Sequence, residues 1–388
     1  MKLREIAERL GITSYPEQLE LAYARLDELK IDISCPDALD ALEREYSLFG
    51  EYYAILRELT LSLKNDPDRL IWGNTIATCI RLFPNAKSPV PLTDETPLGD
   101  FYPLLVLMPL IPSVAPLYCS FGFAEDEVKA VIESFARIIE STKKRTGRPG
   151  YTQGYFTWQK KYVKGILFRF GSFNYELKTF SGAYILKNRS TGEILPCPAK
   201  GRFHRDGMVL GSAGFTDEGG SFEASFEETE AAFIGYPAKN SLISSSSETF
   251  SKEEWECILR PHDPIISVHI PAGVDLSPET VEKCYRDGLG FIREHFPDFQ
   301  PKAYYCESWL LDPNLETILG EKSKITQFMK SYVKWPFSSS GKEVFNFVFV
   351  GFNGELSQLP ENTSLERGLK NRYLDGKFVH AYQGVLFR

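Results

Sequence analysis

Two short apolar runs carry the residues best suited to chemistry. The first is Pro264-Ile-Ile-Ser-Val-His-Ile-Pro271 and the second is Ala303-Tyr-Tyr-Cys-Glu-Ser-Trp-Leu-Leu-Asp312. His269 lies near the end of the first. An imidazole exchanges protons most readily near neutral pH, so His269 is a candidate general base; a hydrogen-bonded histidine at a sheet end is the open alternative. Glu307 stands in the second run, where a carboxylate is costly unless it is paired or used. It is a second candidate base, with a strand-edge carboxylate held by Lys or Arg as the alternative. Cys306 and Ser308 alternate onto the other face of that run. Ser308 joins the catalytic candidates. Cys306 suits a nucleophile only in a ping-pong mechanism, and otherwise a buried structural thiol.

These residues need elements to position them. Ile266, Val268 and Ile270 fall on one face of the first run, and Ile265, Ser267 and His269 on the other, which is the period of a strand. Ser277 followed by Pro278 reads as an N-cap and first helical position, with Glu279 in the first turn. Val281, Cys284, Tyr285, Gly288, Ile292 and Phe296 then recur at three and four residues, and Pro297 ends the helix. Strand, loop, helix and strand predict a βαβ unit with two parallel strands. The corner where its first strand meets its helix offers free N–H groups and the positive end of the helix dipole, a natural anion site. Pro271 closes the strand and Gly273 permits close backbone approach. The N–H groups from Ala272 to Ser277 are expected to face the anion, which requires Asp275 to face solvent or cap the helix.

The 388 residues are enough for about two domains, and 43% hydrophobic with 25% charged residues is ordinary for a globular protein. A formal charge of −8 weighs against nucleic acid or an anionic membrane as partner. The seven cysteines are scattered singly with no C-x-x-C, which suits reduced thiols and a cytoplasmic location. The charged N-terminus lacks the apolar core of a signal peptide. The most apolar stretch, Tyr102 to Tyr118, is interrupted by Pro103, Pro109, Pro112 and Pro116 and so reads as no membrane span. No metal site is expected, because the five histidines share no ligand spacing. There is no nucleophile elbow and no phosphate-binding Walker loop.

Along the chain, residues 1–145 read as an all-α domain. Helical periodicity covers Leu3–Leu10, Pro16–Lys30, Pro36 to Ala54 and beyond, Leu70–Leu82 and Ala124–Ser141, with a looser segment over Asn85–Asp100. Arg4 to Gly11 is similar to the first helix of a helix-turn-helix, but no basic recognition helix follows, so it reads as a terminal packing helix. The basic break Lys143-Lys-Arg-Thr-Gly-Arg-Pro-Gly150 is expected to be the junction, with a phosphate-binding loop as its alternative. From about residue 150 the period changes to two. Gly165–Phe180, Ala183–Leu186 and Glu193–Leu195 read as strands, and Asp206-Gly207 as a hairpin turn. Ser251-x-x-Glu254 reads as a capping box opening a short helix through Trp255 and Leu259. After the βαβ unit come a helix over Asn314–Lys330, strands at Val333–Pro336 and Val344–Phe352, a helix over Ser364–Leu374 and a strand over Lys377–Phe387. The class is α+β, with a mixed sheet flanked by helices over 150–388.

His269-Ile-Pro-Ala-Gly273, His295-Phe-Pro297 and Cys306-Glu-Ser-Trp-Leu-Leu-Asp312 resemble a bacterial family of two-domain acyltransferases. In that family a helical N-acyltransferase N-terminal domain precedes a GNAT-like C-terminal domain. The resemblance extends through Phe226-Glu-Glu-Thr229, Gly235-Tyr-Pro237 and Leu104 to Phe123, and so touches most of the chain. It implies direct transfer of an acyl group from acetyl-CoA or another acyl-CoA to a small-molecule amine, with the helical domain shaping the acceptor side. It also implies that CoA is the anion at Ile270, Ala272, Gly273, Val274 and Ser277, and that Glu228 and Thr229 line the acceptor pocket. Such a reaction needs a base for the amine, a donor to the thioester carbonyl and an acid for the leaving thiolate. The loop departs from common N-acetyltransferases, whose Gln/Arg-x-x-Gly-x-Gly/Ala is replaced here by Pro271–Ser277 with only Gly273. A non-catalytic CoA- or small-ligand-binding protein on the same fold is therefore the alternative.

Overall fold

A computed structural model describes residues 2–84, 91–352 and 354–388. Residues 85–90 of the looser segment expected over Asn85–Asp100 lie outside the described residues. The helical periodicity of the first part of the chain is realised in more and shorter helices than its apolar spacing implies. These are α1 (Leu3–Arg9), α2 (Gln18–Tyr23), α3 (Leu26–Leu29), α4 (Asp37–Tyr46), α5 (Tyr53–Ser62), α6 (Pro67–Leu82), α7 (Pro97–Leu107), α8 (Val114–Ser120), α9 (Glu125–Thr146) and α10 (Gln153–Val163). The reading of one helix over Pro16–Lys30 is corrected by a break at Arg25, whose backbone leaves the helical region (φ −116°, ψ 14°), and the one beyond Pro36 by Ser47, which ends α4 with φ of 50°. The segment Pro97–Ser120 is long and apolar enough to cross a membrane by length and composition. Its prolines interrupt the α-helix without ending helical structure: Pro103 sits inside α7, and the 3₁₀ segment holding Pro112 separates α7 from α8. Phe101 to Met108 are buried within the helical unit, as the residues of a core helix are.

The chain forms two compact units, Met1–Leu167 and Phe168–Arg388. The division falls later than the basic break at 143–150. α9 runs through those lysines to Thr146 and ends at Gly147, whose φ of 80° suits a helix stop. The Thr152 hydroxyl then accepts the Tyr155 N–H and caps α10. Gly and Pro there punctuate a helix–helix turn, and α10 still belongs to the first unit.

The second unit is built on a six-stranded sheet. β1 (Leu167–Phe170) and β2 (Phe173–Thr179) begin it. An insertion follows, comprising β3 (Ala183–Asn188), β4 (Ile194–Pro198), β5 (Lys200–Phe203), β6 (Phe222–Glu228), β7 (Ala232–Gly235), β8 (Ala238–Lys239), β9 (Leu242–Ile243), β10 (Glu248–Ser251) and β11 (Trp255–Leu259). These form smaller sheets ordered β11-β3-β4 and β10-β7-β6-β5, with β8 paired to β9. Gly207 makes the expected tight turn with φ of 83°, although only the bridge Phe203↔Val209 follows it. The helix expected after Ser251 is instead β11. Trp255 pairs with Asn188 and Cys257 with Leu186, so cross-strand pairing overrides the local capping signal.

The chain then returns to the central sheet with β12 (Pro264–His269), α11 (Pro278–His295) and β13 (Ala303–Ser308), the expected βαβ unit with parallel strands. α12 (Asn314–Leu319) and α13 (Lys324–Lys330) replace the single helix expected over 314–330, because Gly320 takes φ of 79° between them. β14 (Val333–Pro336), α14 (Ser364–Leu374) and β15 (Tyr382–Leu386) complete the unit, and the sheet order is β1-β2-β12-β13-β15-β14. Val344–Phe352 is not a strand. Val344 and Phe349 are buried while Phe347 and Val350 are exposed, a spacing that packs a 3₁₀ turn and loop around Tyr373 instead of alternating across a sheet.

Strand alternation divides the core. Ile266, Val268, Tyr304 and Cys306 pack under α11 with Tyr285 and Ile292. α11 crosses at Gly288, where a Cβ would come within 2.8 Å of the Tyr175 ring, so this glycine is a packing feature. Ile265, Ala303, Tyr305 and Val385 face the opposite way, toward Ile185, Phe203 and Ile243 of the insertion.

Candidate active site

The central feature of the site is a gap in the sheet. β12 and β13 are paired from Ile265↔Ala303 to Ser267↔Tyr305 and no further. Both strands continue, and each stays paired on its outer side, His269 with Asn174 of β2 and Ser308 with Tyr382 of β15. The two central strands therefore part at their C-terminal ends. Backbone groups that face the gap from either bank have no partner in the ladder.

On the α11 side of the gap lies a pocket of about 670 Å³, a size that accommodates a cofactor-like ligand. Ile270 to Leu276 form one wall and Ser308 to Leu310 another; Lys324, Ile325, Phe347, Val348 and the first turn of α14 complete it. The N–H groups of Ala272, Gly273 and Val274 donate to no acceptor among the described residues. Gly273 takes φ of +75°, which favours glycine, and a Cβ there would meet nothing within 4 Å. The corner is thus open and lined by amides, as an anion site must be.

Asp275 takes the capping alternative. Its Oδ1 accepts from the Ser277 N–H at 3.0 Å and from Lys324 Nζ at 2.8 Å, and its Oδ2 from the Ser277 hydroxyl at 2.6 Å and the Thr280 hydroxyl at 2.8 Å. Lys324 first, and then those hydroxyls, hold its carboxyl well below the usual carboxylate range. The same contacts correct the reading of Ser277. Its N–H and hydroxyl are engaged with Asp275, and it does not line the pocket, whereas Ile270, Ala272, Gly273 and Val274 do. Ser308 lines the opposite bank. Its Oγ accepts the Leu310 N–H at 3.1 Å, which leaves the hydroxyl hydrogen for a group in the pocket.

His269 and Glu307 each lie two residues beyond the last paired residues, Ser267 and Tyr305. By alternation they share the face away from α11, on opposite banks of the gap. His269 Nε2 is 2.8 Å from Glu176 Oε2, with the Glu176 side chain only 11% exposed. A neutral imidazole donates Nε2–H there, and the carboxylate favours the protonated form of the ring. Glu307 is exposed, contrary to the buried carboxylate that its apolar run implies, and its Oε2 lies 3.1 Å from the Tyr305 hydroxyl. The strand end, and not the core, receives it. Cys306 is buried under α11, and burial pushes its thiol far up, so it stays protonated and is no nucleophile.

Glu228 and Thr229 are not brought to this pocket. Thr229 closes the β6–β7 turn, its hydroxyl 3.0 Å from the carbonyl of Ala232. Glu228 is held by Arg260 at 2.5 Å and Lys252 at 2.8 Å, which together keep its carboxyl at about 2. A depressed carboxyl stabilises the fold above its ordinary value of 4.5, and the contribution is lost as pH falls toward 2. Glu228→Gln should cost about 1 kcal/mol at pH 7, allowing for solvent screening, and close to nothing near pH 2. Urea denaturation at several pH values measures this; a loss that persists in acid would contradict the ion-pair account.

Sequence reasoning missed Glu176, Lys324, Phe347 and the start of α14. Glu176 had a signal. It is a carboxylate in the apolar alternation Phe173-Asn-Tyr-Glu-Leu177, which is the argument applied to Glu307. Lys324 and Phe347 reach the pocket by tertiary folding alone. Among the described residues, no three or more His, Cys, Asp or Glu groups are placed to hold a metal ion.

The chain has the overall fold of solved acyltransferase structures. One, in complex with decanoyl-CoA and teicoplanin, shares 18% identity at a TM-score of 0.60. Another, a mutant acyltransferase in complex with octanoyl-CoA, shares 16% identity at a TM-score of 0.61. Each match covers 100% of this chain and 99% of the other. No curated protein sequence matches the chain. The sequence profile of the GNAT-like C-terminal domain matches residues 167–386, which is the sheet unit from β1 to β15. More than half of the chain is thereby accounted for, and the protein belongs to the family defined by the GNAT-like C-terminal domain.

Proposed function

We propose that this protein transfers an acyl group from acyl-CoA to the amine of a small molecule by direct attack. The observation that carries this reading is the gap between β12 and β13, with an amide-lined corner on one side and the His269–Glu176 pair on the other. The pyrophosphate of CoA rests on the N–H groups of Ala272, Gly273 and Val274 with Lys324 beside it, and the thioester enters the gap. An unpaired backbone N–H on one bank donates to the thioester carbonyl as charge builds on its oxygen. The amine nitrogen attacks the carbonyl carbon and its proton passes to His269, whose positive form the Glu176 carboxylate stabilises. The C–S bond breaks as the Ser308 hydroxyl on the pocket bank donates a hydrogen bond to the leaving thiolate; the thiolate takes its proton from solvent, to which His269 returns the amine proton, giving an amide and free CoA. Structures of similar fold hold decanoyl-CoA or octanoyl-CoA, and one holds teicoplanin, which supports an acyl chain longer than acetyl and a small-molecule acceptor. The seven unpaired thiols suit a reducing compartment such as the cytoplasm.

The test is release of CoA thiol from acyl-CoAs of graded chain length against a panel of amines. Amine-dependent release supports the reading. CoA binding without turnover on any amine leaves a ligand-binding protein, and no binding of CoA at millimolar concentration removes both. Two variants probe the corner by calorimetry. Gly273→Val places a branched side chain at a positive φ and in the open corner, and should weaken CoA at least tenfold, about 1.4 kcal/mol. Lys324→Ala should weaken it by an amount that shrinks as salt rises.

A further inference from the structure

We infer that Phe347 is the platform on which the adenine base of the acyl-CoA stacks, an inference that rests on the acyl-CoA reading above. Phe347 lines the pocket yet is 49% exposed, unusual for an aromatic side chain set in an apolar wall. Its neighbours Val344 and Phe349 turn into the core around α14, while Phe347 has no part in that cluster. Its ring makes no ring–ring contact among the described residues, although Phe345 beside it packs on both Phe349 and Tyr373. One face of the ring is thus left to the pocket.

The rest of the ligand fixes what must lie there. Acyl-CoA is a linear molecule with a thioester at one end, a pyrophosphate along its length and a nucleoside at the other end. The thioester belongs at the gap, beside Ile270 and Ser308, and the pyrophosphate at the amides of Ala272 to Val274. The acyl chain continues past the thioester, through the gap and away from the pocket. What remains for the far wall is the nucleoside, whose planar base has a π-face that an exposed aromatic ring can cover.

The test compares acyl-CoA with acyl-pantetheine, which keeps the thioester and lacks the nucleotide. Phe347→Ala should raise KM for acyl-CoA and weaken CoA binding in calorimetry by roughly tenfold, with kcat unchanged, while leaving kcat/KM for acyl-pantetheine as in wild type. Phe347→Trp should restore acyl-CoA binding, because it restores the stacking surface. The side chain is half-exposed, so neither change threatens the fold. Equal losses with both substrates, or a loss that grows with acyl chain length, would place the ring against the pantetheine arm or acyl chain and overturn the inference. Unchanged acyl-CoA binding in Phe347→Ala would overturn it while leaving the acyltransferase reading intact. Failure of the wild type to bind CoA would overturn both.

Discussion

Replacing His269 by Ala is expected to lower kcat by roughly 10²–10⁴-fold while CoA binding stays intact. The side chain sits beyond the last rung of the β12–β13 ladder, on the face away from the amide-lined pocket, so its loss is expected to remove proton transfer without touching that corner. Glu307→Gln should cost far less. Glu307 occupies the opposite bank of the same gap, but it is exposed, and its partner is the neutral Tyr305 hydroxyl where His269 has the Glu176 carboxylate. Steady-state turnover with a responsive amine, read beside calorimetry with CoA, separates the two residues. If both variants turn over as the wild type does, neither is the base. If Glu307→Gln suffers the larger loss, the assignment within the gap reverses.

The largest loss of stability is expected at Asp312, which closes the Cys306–Asp312 motif. Its carboxylate is 0% exposed. Oδ1 accepts from the backbone and side-chain amides of Asn314, each at 2.8 Å, and Oδ2 accepts the His380 N–H at 2.7 Å. This one side chain ties the end of β13 to the start of α12 and to the segment entering β15. Asp312→Ala would strand the buried His380 N–H and two part-buried Asn314 donors and should destabilise the unit by about 3 kcal/mol, whereas Asp312→Asn, which keeps one acceptor oxygen, should cost less. Guanidinium denaturation of both variants checks the order. A loss below about 1 kcal/mol for Ala would mean that solvent or a shifted backbone satisfies the donors.

The legible parts of this molecule were those whose physics is local. The βαβ unit could be read because a period of two, an N-cap with a following proline and a period of 3.6 stand in one uninterrupted stretch, 264–312. The division of His269 and Ile270 between opposite faces followed from alternation alone. Elements failed where partners distant in sequence decided the outcome. Trp255 to Leu259 is a strand because β3 lies beside it, and nothing within that segment says so. Val344–Phe352 has strand-like composition but packs around Tyr373. The candidate site divided in the same way. The Ala272–Val274 corner was visible in Pro271, Gly273 and Ser277-Pro278, while Asp275 and Ser277 turned out to be occupied with each other. Glu176 stands far from His269 in sequence and meets it only through the register of β2 on β12.

The insertion bears on how the chain reaches this structure. Thr179 closes β2 and Pro264 opens β12, and these two residues are paired neighbours, so β3 to β11 form one loop of chain whose two ends meet at a single pair of the central sheet. Within it, β3 meets β4 and β6 meets β7 across short turns. Such pairings close small loops at low entropic cost, whereas β2 on β12 and β13 on β15 must close long ones. The insertion is expected to condense first and, by doing so, to shorten the tether between β2 and β12. The central sheet is then the slow step of folding. A chain arrested before it would carry Ile185, Phe203 and Ile243 with no sheet to cover them. That intermediate is the species most prone to aggregate, and its lifetime, more than the stability of the finished fold, should set the yield of refolding from denaturant.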